Sequence, residues 1–162
     1  TVYLTGSRRT VAWRPGAVPV VTHRAGVAVD AAHDVLFTYG SGAGTIGPTS
    51  LSAPGDQTWS LSSSEFFPRV VSADATYVAG LSAQLNHVQV RSMADGSLVS
   101  DWKRHLDYAR PLVWEDTGHL VSVLRTRKGW ALLRCGVGGD CARVTGLSGD
   151  PLSLPFQEVS FR

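Results

Sequence analysis

The sequence predicts an all-β protein built from repeated four-stranded antiparallel units, and three observations carry that prediction. The apolar stretches are short, rich in Val, Leu, Thr and aromatic residues, and cut by Gly, Pro, Asp or Ser within about eight residues, which leaves no helical periodicity to follow. Turn formers are plentiful, with 17 Gly and 8 Pro in 162 residues. The chain also repeats itself: Val70-Val71-Ser72-Ala73-Asp74-Ala75-Thr76-Tyr77-Val78 aligns with Leu112-Val113-Trp114-Glu115-Asp116-Thr117-Gly118-His119-Leu120, a shift of 42 positions. Four short strands recurring at that period are the signature of β-propeller blades.

Taken in order, Val2-Tyr3-Leu4-Thr5 and Arg9 to Trp13 read as the last two strands of a preceding blade, a half blade over 1–14 turned at Gly6-Ser7-Arg8. The first full unit spans 26–61, with strands at Ala28 to Asp30 and Val35 to Thr38, and Pro48 limits its third strand because proline donates nothing to a ladder. The second, 68–105, has strands near Arg69 to Ser72, Tyr77 to Ser82, His87 to Ser92 and Ser97 to Trp102, with a hairpin turn at Ala94-Asp95-Gly96-Ser97. The third, 110–147, has strands near Pro111 to Trp114, His119 to Arg125, Gly129 to Cys135 and Cys141 to Thr145. Residues 151–162 are expected to add closing strands. Together these make about four blade equivalents, so the chain either closes a small ring or forms part of a larger propeller. Open blade edges would also let a second copy pair, giving a homo-oligomer.

Composition excludes some partners. Lys plus Arg is 15 and Asp plus Glu is 13, a net charge of +2, so no electrostatic footprint for nucleic acid stands out. No apolar run reaches the roughly 18 residues a membrane span needs, so no membrane insertion is expected within this stretch. Only Lys103 and Lys128 are Lys, Ile46 is the sole Ile and Asn86 the sole Asn, a skew that fits a GC-rich genome. An opening Thr in place of Met fits a processed protein or, as the repeat arithmetic favours, a trimmed piece of something longer.

Trp114-Glu115-Asp116-Thr117-Gly118-His119-Leu120-Val121 resembles the aromatic-X-Asp-X-Gly-X-Leu-X turn between the first two strands of TolB-like and WD-repeat-like propeller blades. Arg134-Cys135-Gly136-Val137-Gly138-Gly139-Asp140-Cys141 is similar to the last hairpin of secreted or membrane-anchored propeller domains of actinobacteria. The resemblance covers residues 26 to 147 and implies the propeller fold and an extracytoplasmic location, while leaving function open.

Cys135 and Cys141 lie at matching distances from Gly138 on two predicted hairpin arms, which places them within disulfide range; the alternative is two unpaired thiols packed as small apolar residues. A disulfide implies an oxidising compartment. The 42-residue shift puts Met93 and Val99 at the equivalent sites, as a facing apolar pair. Gly42-Ala43-Gly44-Thr45-Ile46-Gly47 fits the dinucleotide fingerprint by letter, but Pro48 follows where a helix should start, so it reads as a loop between strands. No nucleophile elbow or phosphate-binding loop is present, and His23, His33, His87, His105 and His119 do not share a repeat position, so no catalytic, cofactor or metal residues are assigned. Asp74 and Asp116 are expected to fix tight turns through their own side chains. Trp13, Trp59 and Trp102 are expected to pack between blades.

The polar and aromatic connector between the second and third units supplies the candidate contact surface: Trp102, Arg104, His105, Asp107, Tyr108 and Arg110. The first strands would line the central channel with Ala28, Asp30, Val70, Ser72, Leu112 and Trp114, a set poor in acids, bases and metal ligands. The expectation is thus a non-enzymatic extracytoplasmic propeller that binds a protein or cell-envelope partner, anchored to the membrane by a segment outside this stretch. The alternative is the propeller portion of an enzyme, either a peptidase with a separate hydrolase domain or a lyase or quinoprotein-type propeller with its site in the channel.

Overall fold

A computed structural model describes residues 2–5, 10–13, 16, 18, 20–23, 28–32, 35–39, 44–50, 57–85, 87–102, 112–152 and 154. These residues contain strands and turns and no helix. Four antiparallel sheets follow one another along the chain. The first holds β1 (Val2–Thr5), β2 (Thr10–Trp13) and β3 (Val20–His23). The second holds β4 (Ala28–Ala32), β5 (Val35–Tyr39), β6 (Thr45–Ser50) and β7 (Leu61–Ser62). The third is built from β8 (Phe66–Val71), β9 (Tyr77–Ser82), β10 (Val88–Ser92) and β11 (Leu98–Trp102). The fourth comprises β12 (Val113–Trp114), β13 (His119–Thr126), β14 (Gly129–Gly136) and β15 (Cys141–Arg143).

Within each sheet the strands pair in chain order, and the first strands lie side by side: β1 beside β4, β4 beside β8, and β8 beside β12. That is the inner ring of a propeller, with later strands stepping outward. It corrects the reading of the amino-terminal piece as the last two strands of a blade. β1 is an inner strand, and β3 extends its sheet to three strands, past the expected boundary at residue 14. A hairpin's local pattern is the same near the axis or at the rim, so only the neighbouring β4 distinguishes the two. Of the closing strands expected over 151–162, residues 153 and 155–162 lie outside the described residues, and none of the others is in a strand.

The third sheet shows why both faces of a blade read as apolar. Along β9 the side chains alternate, so Ala79 and Leu81 face the fourth sheet while Val78 faces the second. One core layer joins Ala79, Leu81, Val88, Val90 and Trp102 to Leu112, Leu120, Leu133 and Cys135. The other joins Phe37 and Ile46 to Phe66, Val71, Val78 and Met93. Gly80 fits this stacking: a Cβ there would sit 2.7 Å from the Phe66 ring and 2.2 Å from the Phe67 carbonyl oxygen.

Three local expectations are corrected. Pro48 does not end its strand; it is buried in the middle of β6, opposite Phe37. Its carbonyl accepts the Thr58 N–H at 3.0 Å on the outer side, so its missing N–H falls on that side too and the ladder to β5 is intact. By the same pairing Thr45, Ile46 and Gly47 belong to β6 and not to a loop. Met93 and Val99 do not face each other. The β10–β11 turn closes at Ser92 and Ser97, and a register shift between Val90 and Arg91 leaves Val99 without a partner on β10. Met93 is instead buried against the second sheet.

Candidate functional site

Strand alternation sorts the turns into two ends. The β8–β9, β10–β11, β12–β13 and β14–β15 turns share one rim, and the β9–β10 and β13–β14 turns share the other. The first rim carries the exposed acids Asp74, Asp95, Glu115, Asp116 and Asp140. Exposed cations Arg125, Arg127 and Lys128 occupy the opposite end of the fourth sheet.

The acidic rim is built turn by turn from Asp side chains. Asp74 accepts from the Thr76 N–H at 3.1 Å and from the Ser72 and Thr76 hydroxyls at 2.6 Å. Asp95 accepts from the N–H and hydroxyl of Ser97. Asp116 accepts from the Gly118 N–H at 2.7 Å, as its expected role in the turn requires, and lies 2.9 Å from His119 Nδ1. These bonds favour the ionised form. The Ser72 hydroxyl, followed by that of Thr76, holds the Asp74 carboxyl below its ordinary range; the Ser97 hydroxyl does the same for Asp95, and the Gly118 N–H, followed by His119, for Asp116.

On the fourth sheet this rim is braced from a second side. Gly136 N–H donates to the Asp140 carbonyl at 2.8 Å, and Gly139, at φ +100°, turns the chain between them. Cys135 and Cys141 follow as a directly opposed pair with Cα atoms 4.1 Å apart, and they form a disulfide. The Val137 N–H donates to the Gly118 carbonyl at 2.8 Å, fastening the crosslinked hairpin to the Asp116 turn. Arg134 on β14 pairs with Glu115 and lies 3.7 Å from Asp116.

Glu115, Asp116 and His119 are the one set of potential metal ligands brought together among the described residues, with donor atoms within 4.8 Å of one another. The Arg134 guanidinium already supplies the positive charge those carboxylates need, so their geometry is that of an ion-pair network. A cleft of about 600 Å³ between the second and third sheets is lined by residues such as Val35, Pro48, Thr76 and Met93, with no charged side chain among the described residues.

Of the inner-strand residues expected to line a channel, Asp30, Ser72, Leu112 and Trp114 make contacts that hold the sheets and turns together. Asp30, Ser72 and Trp114 stand one 42-residue period apart. Asp30 Oδ2 accepts the Val71 N–H at 2.7 Å, tying the second sheet to the third. Trp114 Nε1 donates to the Val70 carbonyl at 3.3 Å, tying the fourth sheet to the third, and its ring stacks on Tyr77. Ser72 is buried and accepts from the Thr76 and Tyr77 N–H groups of its own turn. Leu112 is buried in the core. The Trp residues behave as inter-blade packing where they are described: Trp59 Nε1 donates to the Met93 carbonyl at 2.8 Å, and its ring meets Phe37 edge-on.

Trp102 is corrected as a contact residue. It is 4% exposed and sits in the core layer between the third and fourth sheets, because β11 turns that face inward beside Val88. Arg104, His105, Asp107, Tyr108 and Arg110 lie outside the described residues. The braced acidic rim and the cationic hairpin went unassigned in the sequence reading; the signals were Arg134, 42 positions beyond Ser92, and the run Arg125-Thr126-Arg127-Lys128.

No protein-family model matches the chain, and no curated protein matches it. Solved structures do. BamB from Moraxella catarrhalis superposes with a TM-score of 0.52 at 9% identity, over 88% of this chain and 43% of that one. Hsv2 from Kluyvelomyces marxianus gives 0.53 at 18% identity, over 86% of this chain and 47% of that one. Both are propellers, and this chain spans less than half the length of either. Likeness at this identity concerns the fold alone, and with four successive antiparallel sheets around shared inner strands it makes the chain a partial β-propeller.

Proposed function

We propose that the chain is a non-enzymatic propeller platform outside the cytoplasm, of the TolB-like, secreted or membrane-anchored actinobacterial type, whose rims bind a protein or cell-envelope partner. The observation that carries this reading is the braced rim of the fourth sheet, where a disulfide, the Val137–Gly118 bond and the Arg134 pairs hold a charged surface in one conformation. A surface ordered before binding loses little freedom on association, which is what a docking platform needs. The disulfide supports an oxidising compartment. The use of Asp30 and Trp114 as ties between sheets supports a structural inner ring over a catalytic channel.

Site-specific photocrosslinking tests it. A benzoylphenylalanine at Thr117 or Gly138 on the acidic rim, and at Ala83 on the opposite one, is expected to give discrete protein adducts in the source cell envelope. Absence of adducts at all three positions sinks the platform reading.

A further inference from the structure

The β13–β14 hairpin stands apart from its counterparts. Its strands are eight residues each, against six and five for β9 and β10. The turn is a two-residue one: Thr126 pairs with Gly129, leaving Arg127 and Lys128 at the tip. It is held in shape from inside, since the Thr126 hydroxyl donates to the Gly129 carbonyl at 3.0 Å and accepts the Lys128 N–H at 3.2 Å. It is braced from outside as well, because Trp130 and Ser148 exchange backbone hydrogen bonds of 2.8 Å in both directions. The Arg125 guanidinium lies over the Trp130 ring, 5.3 Å from its centroid. Arg125, Arg127 and Lys128 are all exposed, and among the described residues no ion pair joins any of them to an acid.

We propose that this hairpin docks an acidic peptide segment of a protein partner. The proposal rests on the platform reading and names the chemistry of what one rim binds. Three cations at the end of this hairpin, none of them ion-paired among the described residues, complement a run of Asp or Glu side chains, and the two guanidiniums offer paired N–H groups that fit a carboxylate. An anionic membrane fits less well. Thr126, Arg127 and Lys128 present no apolar side chain to insert, and three basic residues alone hold such a surface only in about the millimolar range. Single-stranded nucleic acid wants an open aromatic face for stacking, whereas Trp130 is half-buried with Arg125 over it.

The test is fluorescence anisotropy with a labelled decaglutamate peptide at low salt. Binding is expected to weaken as salt rises and to fall by about tenfold or more when Arg127→Glu and Lys128→Glu are combined, while Arg143→Glu on β15 leaves it unchanged. Arg127→Gln with Lys128→Gln, which keeps the turn without like-charge reversal, is expected to fall in the same direction, and the melting temperature reports whether each variant is folded. Equal peptide binding by wild type and the folded double variants overturns the proposal. Tighter binding to phosphatidylcholine–phosphatidylglycerol vesicles, or to a single-stranded oligonucleotide, than to decaglutamate overturns it as well. In the crosslinking experiment, an adduct at Ala83 that survives both charge reversals removes the hairpin's role and leaves the platform standing, whereas no adduct at any rim position removes the platform itself.

Discussion

Replacing Cys141 by Ser opens the ring that its bond to Cys135 closes, and the consequence can be worked from the hairpin. The two residues are six positions apart, so the closed loop is short. In the chain-entropy treatment a loop of this size restricts the unfolded chain enough to contribute about 2 kcal/mol to stability. For a chain of this length each kcal/mol corresponds to about 2–4 °C, so Cys141→Ser is expected to lower the melting temperature by about 4–8 °C. Cys141 is half-buried, so the change of S to O itself adds little, whereas Cys135 is 2% exposed and its replacement would add a packing loss.

Differential scanning calorimetry of wild type, Cys141→Ser and reduced wild type makes the comparison. Full reduction, verified by a mass gain of two hydrogens, is expected to reproduce the Cys141→Ser midpoint, and reductant is expected to leave that variant unmoved. A midpoint that stays within about 1 °C after verified reduction refutes the argument, because the crosslink would then not restrict the unfolded chain as calculated. Free thiols on both residues in protein taken directly from its native compartment would refute the proposed extracytoplasmic location.

Other changes test the packing and the rim. Gly80→Ala places a methyl 2.2 Å from the Phe67 carbonyl oxygen and is expected to cost about 1–3 kcal/mol by thermal denaturation, whereas Gly138→Ala, with nothing within 4 Å, is expected to be neutral. Trp59→Phe removes the donor to the Met93 carbonyl between the second and third sheets and is expected to cost about 1 kcal/mol in denaturant titrations; a neutral result would show that tie to be dispensable. The carboxyls of Asp74, Asp95 and Asp116 are held below their ordinary values, so the stability they add is fully present above about pH 4, the unfolded range, and is lost as pH falls through the lower folded values. Asp116→Asn is accordingly expected to be less stable at neutral pH and to lose less on acidification than wild type, followed by circular dichroism at successive pH values.

The parts of the fold that were legible in the sequence are those specified by adjacent residues. Asp116-Thr117-Gly118 marks the β12–β13 turn and Gly138-Gly139 the β14–β15 turn, and the strands between them fall where the alternation places them. The parts that were not legible depend on partners far along the chain. Whether Val2–Thr5 is inner or outer is decided by β4, and whether Pro48 breaks a strand depends on which neighbour its missing N–H would have faced. Trp102 sits in a polar-looking stretch, yet its register opposite Val88 turns it into the core. The repeat itself misleads at the β10–β11 turn, where one extra turn residue and a shift in register separate Met93 from Val99 although Cys135 and Cys141 face each other.

Asp30, Ser72 and Trp114 carry this furthest. Periodicity correctly singled out one position in three successive blades, and the reading of it as a channel lining treated the ring as a set of equal spokes. In the folded chain a carboxylate reaches forward to the Val71 N–H and an indole reaches back to the Val70 carbonyl, so both act on adjacent residues of β8, while the hydroxyl between them serves its own turn. Inner strands of neighbouring blades do not pair as a sheet, so their facing backbone groups need side-chain partners. The two junctions use different side chains: a carboxylate meets an N–H at one, and an indole meets a carbonyl at the other. A repeat position can therefore be shared while its chemistry differs. The rims then remain as the places where charge is left facing outward, acidic at one end of the fourth sheet and basic at the other.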